Sequence, residues 1–376
     1  MAGTPQLRRA AASAPEAARI DPALSTALDI LRFGAALTVL FGHASAQFVS
    51  GGVLWQFQLY MHGAVMLFFV LSGYVIAATS SRDGGAADYV SGRASRLLSV
   101  VIPALVLTFL FDAVGSAANP DFYLVAPEGG SGPPADLSQH AALRYATAVL
   151  HIHEFWWLPE PHIPGSNVPF WSLSYEAAYY VIFGIAAFLP ARLAIPALVA
   201  LALLAGWDIV KLAPLWLLGA CAWWLRPRIG NRLSLVSALA AIVLIGTFIL
   251  YGTQPETAGA DVERTLERYW AGFAALFAIV AIGGFSRRIA IGRRTAKRLR
   301  SVADHTFELY AVHYPAMFAA AALSPFALGD ARRVLLIYAV VAAATIVTHQ
   351  IAKRLRPHLR RSVLARLRPG HTAAAR

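Results

Sequence analysis

Apolar residues run in ten blocks along the chain, at 27–46, 62–79, 97–117, 169–189, 194–207, 211–225, 233–251, 267–284, 304–323 and 333–352. Most are close to 20 residues long. About 20 residues of helix, at about 1.5 Å per residue, cross a hydrocarbon layer of about 30 Å. The pattern predicts an all-α polytopic membrane protein with about ten transmembrane helices. The blocks at 194–207 and 211–225 are the shortest. Together they are too long for one span, and Asp208 and Lys211 mark a tight turn between two short ones.

Composition agrees. Of 376 residues, 58% are hydrophobic and 14% charged, where soluble domains carry about 25% charged residues. That excludes a soluble globular enzyme, a coiled coil and a disordered chain. The net charge of +12 would suggest nucleic acid in a soluble protein. Here the basic residues fall between apolar blocks, as the positive-inside rule expects, and no nucleic-acid partner is predicted. With the N-terminus inside, 25 of the 32 Lys and Arg residues lie in inner segments, and Arg144, Arg264 and Arg332 lie outside. Merging 194–225 into one span would export the seven charges of 285–303. Both termini are therefore expected in the cytoplasm. Residues 1–26 read as a polar tail rather than a signal peptide, 27–352 as the membrane domain, and 353–376 as a basic tail. The single cysteine, Cys221, allows neither an intrachain disulfide nor a cysteine metal site.

The longest polar interval, 118–168, falls on the outer side. It holds the turn-rich GGSGPP (129–134). A semi-apolar piece at 141–158 carries Arg144, His151, His153 and Glu154. It reads as a re-entrant or surface helix lining a polar cavity. No internal repeat is visible, and no Walker loop, GxSxG elbow or HExxH occurs. His151, His153 and His162 lack the carboxylate spacing that would complete a metal set, so no metal is expected.

Charge inside a bilayer is costly and marks function. In the first span Arg32 and His43 are eleven residues apart. That puts them within about 20° around a helix and about 16 Å apart along it. One polar face through most of the membrane suggests a channel or tunnel wall. The alternative has Arg32 snorkelling to headgroups and His43 bonding a carbonyl. In the fourth span Glu176 lies among Trp171, Tyr175, Tyr179 and Tyr180, at about the depth of His43. A His43–Glu176 pair would satisfy both groups, the carboxylate fixing the imidazole tautomer. An aromatic interface belt with a protonated Glu is the other reading. Ser72, Gly73 and Tyr74 predict close helix packing. Arg93 and Arg96 lie one turn apart at the entry to the third span. They suit a phosphorylated cytoplasmic ligand, or serve as ordinary inner-surface anchors. In the ninth span Glu308 lies near the inner end and His313 at mid-depth, with Tyr310 beside it as a hydrogen-bond partner.

Taken in order, Arg32 with His43, FFVLSGYVI (68–76), Arg93 with Arg96, PFWSLSYE (169–176) and LYAVHYP (309–315) resemble the acyltransferase family 3 of integral membrane acyltransferases. The resemblance implies a ten-helix protein of the bacterial inner membrane. Such a protein moves an acyl group, commonly acetyl, from cytoplasmic acyl-CoA to a hydroxyl of a glycan or glycosylated acceptor. It implies no permanently bound cofactor. His43 would be the essential histidine and Glu176 its orienting carboxylate. Arg32, Arg93, Arg96, Trp171, Tyr310 and His313 would contact substrates. Some relatives carry an extramembrane hydrolase-like domain after the tenth helix. Only about 24 residues follow it here, so none is expected. A secondary transporter or exporter, or a scaffold or receptor, is the rival reading. A transporter predicts flux across vesicles without consumption of acyl-CoA.

Overall fold

The computed structural model describes residues 20–124, 137–158, 162–251, 260–288 and 291–368. Most of the predicted N-terminal tail (1–19), the turn-rich stretch at 129–134 and residues 369–376 lie outside the described residues. The described chain is all-helical. Its main helices are α1 (Pro22–Ala44), α2 (Met61–Ser80), α3 (Ala86–Ala118), α4 (Ala141–Val149), α5 (Trp171–Phe188), α6 (Ala191–Ala205), α7 (Trp207–Leu225), α8 (Asn231–Tyr251), α9 (Ala260–Phe285), α10 (Arg293–Ala303), α11 (Thr306–Leu323) and α12 (Ala331–Leu367).

Every predicted apolar block falls on one of these helices. Among the described residues seven helical stretches are long and apolar enough to cross a membrane: those of α1, α2, α3, α7, α8, α9 and α12. The protein is therefore polytopic. The remaining three blocks fall on α5, α6 and α11. Helix α6 has only 15 residues, and α5 and α11 carry the polar residues described below.

Three boundaries differ from the sequence expectation. The break between α6 and α7 comes at Gly206, and Asp208 and Lys211 pair within the first turn of α7. The interval 285–303 contains the helix α10, whose Arg and Lys residues alternate with apolar ones at helical spacing. The predicted C-terminal tail is helical as far as Leu367 and continues α12, which at 37 residues is about 55 Å long. No apolar run marks these last two, because both lie among charged residues, and hydropathy reports burial in lipid rather than helicity.

The chain forms two compact units: residues 1–32, 66–84 and 214–301, and residues 33–65, 85–213 and 302–376. In the first, α2 crosses α7 at reciprocal glycines. A Cβ on Gly73 would fall 1.9 Å from the Trp216 carbonyl oxygen, and one on Gly219 2.0 Å from that of Val70. Ser72 Oγ accepts a hydrogen bond from Trp216 Nε1 at 3.1 Å. This is the close packing expected at 72–74. Membrane helices gain little hydrophobic drive from meeting, so they associate through such backbone approach. Helices α8 and α9 form a second pair, with Trp270 Nε1 donating to the Leu244 carbonyl at 3.1 Å.

In the second unit α3, α11 and α12 pack against one another. Helix α11 is buried along its whole length except at Phe307 and Leu323. Its C-terminal half is mostly alanine, which lets neighbouring backbones come close. Beyond α4 the chain runs in turns across the end of α6. There the Trp156 and Trp157 indoles donate to the Leu203 and Leu204 carbonyls at 2.8 and 3.1 Å. The last carbonyls of a helix have no partner within it, and these two indoles supply one.

Candidate active site

Three of the motifs meet in the second unit. Helix α11 places Tyr310, His313 and Tyr314 at i, i+3 and i+4, hence on one face. Pro315 lacks the N–H that would bond the Ala311 carbonyl. Asn167 supplies the missing donor, its Nδ2 lying 2.9 Å from Ala311 O and 3.1 Å from Thr108 Oγ1. The turn bearing Asn167 is fixed in turn by Asp112, whose Oδ2 accepts the Ser166 N–H at 2.8 Å. Gly165, in left-handed backbone at φ +56°, packs on that carboxylate. A Cβ there would come within 2.1 Å of Oδ2.

The PFWSLSYE segment lies against LYAVHYP. The Ser172 and Tyr310 hydroxyls share a hydrogen bond of 2.7 Å, and Tyr310 Oη donates to the Pro169 carbonyl at 3.1 Å. Glu176, one turn beyond Ser172, accepts a hydrogen bond from Tyr180. It is close enough to the Tyr310 hydroxyl to act on it electrostatically. Trp171 meets Tyr175 edge-on, with ring centroids 5.0 Å apart.

His43 ends α1. Its ring stands 5.5 Å from that of His313 and 5.1 Å, nearly perpendicular, from that of Tyr314. His62 adds to the electrostatic surroundings. His43 is partly exposed, whereas His313 behind it is 1% exposed. His313 Nδ1 lies 2.8 Å from the Tyr310 carbonyl. A carbonyl only accepts, so Nδ1 carries the proton and Nε2 is the basic nitrogen. That Nε2 is buried and has no hydrogen-bond partner among the described residues.

The structure thus brings His43 together with His313, and Glu176 with Tyr180 and Tyr310. Tyr310 touches both sides, its hydroxyl in the field of Glu176 and its carbonyl on His313, the ring beside His43. Of the residues expected to contact substrate, His313 lies against the His43 ring, and Tyr310 lies against His313 with ring centroids 5.8 Å apart. Arg93 and Arg96 lie on α3, partly buried, with the Arg93 guanidinium 5.3 Å from the Tyr89 ring centroid. Tyr89 Oη donates to the Tyr180 carbonyl at 2.9 Å, tying this platform to α5. Arg32 belongs to the other unit. There it pairs with Asp29 at 3.2 Å, and Asp29 also meets Arg300 at 3.5 Å.

In the segment 141–158 Arg144, Thr147, His151 and His153 are buried while Leu143, Val149, Leu150, Trp156 and Trp157 are exposed, with Arg144 at 1% and Leu150 at 65% exposure. His151 Nδ1 lies 3.0 Å from the Val149 carbonyl and His153 Nε2 3.1 Å from that of Phe170. Burial pushes the two imidazoles down to about 4 and about 3, so both are neutral at pH 7. Among the described residues no group of three His, Cys, Asp or Glu is arranged to hold a metal ion. Sequence reasoning did not single out Ser172, Asn167 or Tyr314. Only Pro315 gave a signal, since a proline inside a span leaves a carbonyl that something must satisfy.

Imidazole, phenol and carboxylate groups thus gather within one unit of a multi-pass helical membrane protein, an arrangement that an enzyme or a transporter can use. Comparison with known proteins decides between them. A family model described as an acyltransferase domain matches residues 25–349, and the chain belongs to the acyltransferase 3 family. It is 28% identical over 178 residues to an O-acetyl transferase of Shigella phage Sf6, covering 43% of this chain and 46% of that protein. It is 35% identical over 161 residues to the acyltransferase MdmB of Streptomyces mycarofaciens, covering 41% of this chain and 36% of that protein. The matched stretch thus spans less than half the length of either relative. No solved structure matches the chain.

Proposed function

We propose that this membrane acyltransferase is an O-acyltransferase of the bacterial inner membrane, with ten spans and both termini in the cytoplasm. It transfers an acyl group, acetyl by analogy with the phage relative, from acyl-CoA to a hydroxyl of a glycan or glycosylated acceptor. His43 is the general base. It takes the acceptor proton as the oxygen attacks the thioester carbonyl. The new C–O bond forms, the C–S bond breaks, and the leaving thiolate recovers the proton from the imidazolium. Arg93 and Arg96 hold the phosphates of the donor at the cytoplasmic side.

The observation that carries this reading is the packing of the half-buried His43 against the buried His313, with the ring centroids 5.5 Å apart. His43 is the less buried of the two residues, while His313 is fixed in tautomer and offers a basic nitrogen. Glu176 acts on the Tyr310 hydroxyl, which Ser172 and the Pro169 carbonyl hold in place, and so helps fix the segment that carries His313. Thiol release from acetyl-CoA by the purified full chain, with a panel of glycans, tests the assignment. His43→Ala should lower turnover by about 10²–10⁴-fold and leave the detergent-solubilised protein folded. Wild-type turnover in that variant would remove His43 from the chemistry. A single-turnover experiment without acceptor separates direct transfer from an acyl-histidine intermediate, which would appear as labelled protein.

A further inference from the structure

Helix α12 continues well past its apolar block, and this extension lies against the entry of α3. The two helices pack along one another, and at the far end the Arg368 guanidinium meets Asp88 at 3.1 Å. That contact sets them antiparallel. Arg356 lies twelve residues before Arg368, about 18 Å back along α12. Arg93 and Arg96 lie five and eight residues beyond Asp88, about 8 and 12 Å along α3. Arg356 and Arg360 are one turn apart and share a face. Arg356 feels the charges of Arg96, Arg360 and Arg93, with Glu308 opposing them. Glu308 is itself engaged by His349 at 3.2 Å. His349 is two turns before Arg356 on the same face of α12.

Three guanidiniums from two packed helices therefore act on the charge of a fourth, Arg356, and Glu308 is the carboxylate that opposes them. Like charges at such range repel, and the arrangement is relieved by an anion of several charges. The guanidinium fork matches phosphate oxygens in pairs. Arg356 and Arg360 are exposed, and Arg93 and Arg96 are partly buried. The cluster is thus open to a ligand arriving from solvent and walled on the α3 side.

We infer that Arg356 and Arg360 of α12 complete, with Arg93 and Arg96, the site for the phosphates of the acyl donor. This rests on the donor role proposed above for the α3 pair. The shared chemistry is a cluster of phosphate groups, which a CoA molecule or an anionic lipid headgroup presents. The inference commits to CoA, whose 3′-phosphate and diphosphate supply several charges close together.

Calorimetric binding of CoA, dephospho-CoA and pantetheine to the full chain in detergent tests it. Arg356→Ala with Arg360→Ala should weaken CoA binding about tenfold or more and flatten its salt dependence. Pantetheine binding should not change. Lys at both positions should restore part of the affinity. Arg361→Ala removes the same charge on another face of α12 and should leave CoA affinity near wild type. Wild-type CoA affinity in the α12 double variant, with loss in Arg93→Ala/Arg96→Ala, overturns this inference and leaves the α3 reading intact. No loss in either pair overturns both. Loss of binding to phosphatidylglycerol vesicles with CoA affinity unchanged makes the α12 arginines lipid anchors and also overturns it.

Discussion

Helices α8 and α11 are both mostly apolar and close in length, yet they do opposite things. Helix α8 holds the most hydrophobic window of the chain, and only 22% of that window is buried. Leu239, Ile242 and Val243 are 56%, 66% and 61% exposed, while Ser234, Ser237 and Ala241 line its inner face. Helix α11 is buried almost throughout, yet it does not reach the hydropathy of a span because it carries Glu308, Tyr310, His313 and Tyr314. Lipid-facing surface has to be apolar, since hydrocarbon offers polar groups no partner. A helix sheltered on all sides is free of that rule and can hold polar side chains that find partners in its neighbours. Here the strongest hydropathy signal marks a helix with an open apolar face, and a weaker one marks a buried helix that holds the polar side chains of the candidate site.

The largest difference between the two helices is expected at His313. His313→Ala removes the ring behind His43 and should cost about 10²-fold in turnover. The pH dependence of kcat/KM should shift with it, because the environment of the base has changed. A lowered rate with an unmoved pH profile would make His313 a packing residue only.

A smaller effect concerns stability around α5. His151 and His153 are held at about 4 and about 3 by burial, against about 6.5 in the unfolded chain. Between those values the unfolded chain binds more protons than the folded one, so acid lowers stability. The loss begins as pH falls through about 6.5 and grows towards the folded values. Between pH 7 and 5 it should be of order 2 kcal/mol per histidine. It would be read as a falling Tm in detergent that His153→Gln partly flattens. A Tm indifferent to this pH window would contradict the buried neutral state.

The smallest effect belongs to the open apolar face. Leu239→Ala on the exposed face of α8 should change stability by no more than about 0.5 kcal/mol and leave turnover unchanged. An activity loss there matching that of His313→Ala would erase the distinction between the helices.

Much of the fold was legible beforehand. Apolar blocks of span length located the helices, since crossing hydrocarbon imposes both composition and length. The reciprocal glycine contact at Gly73 followed from small residues, which are placed where backbones touch. The helical reach of α12 to Leu367 and the helix α10 were not found from apolar blocks, because a charged helix has no apolar run; in α10 only the helical spacing of its few apolar residues could have shown it. At the site, His43, His313, Tyr310 and Glu176 stood out as ionisable or polar groups within apolar blocks, but their partners did not.

Sequence by itself determined that this chain lives in a membrane, where its helices run and which few side chains are too polar to be there by accident. Tertiary structure alone decided that His43 meets His313, that Asn167 satisfies the carbonyl freed by Pro315, and that Arg356 feels the charges of Arg93 and Arg96. Hydropathy is a property of each residue against its solvent and can be read one segment at a time. A side-chain pairing depends on which helices pack and how they are rotated, and residues 144 or more positions apart, such as Asn167 and Ala311, become neighbours only then.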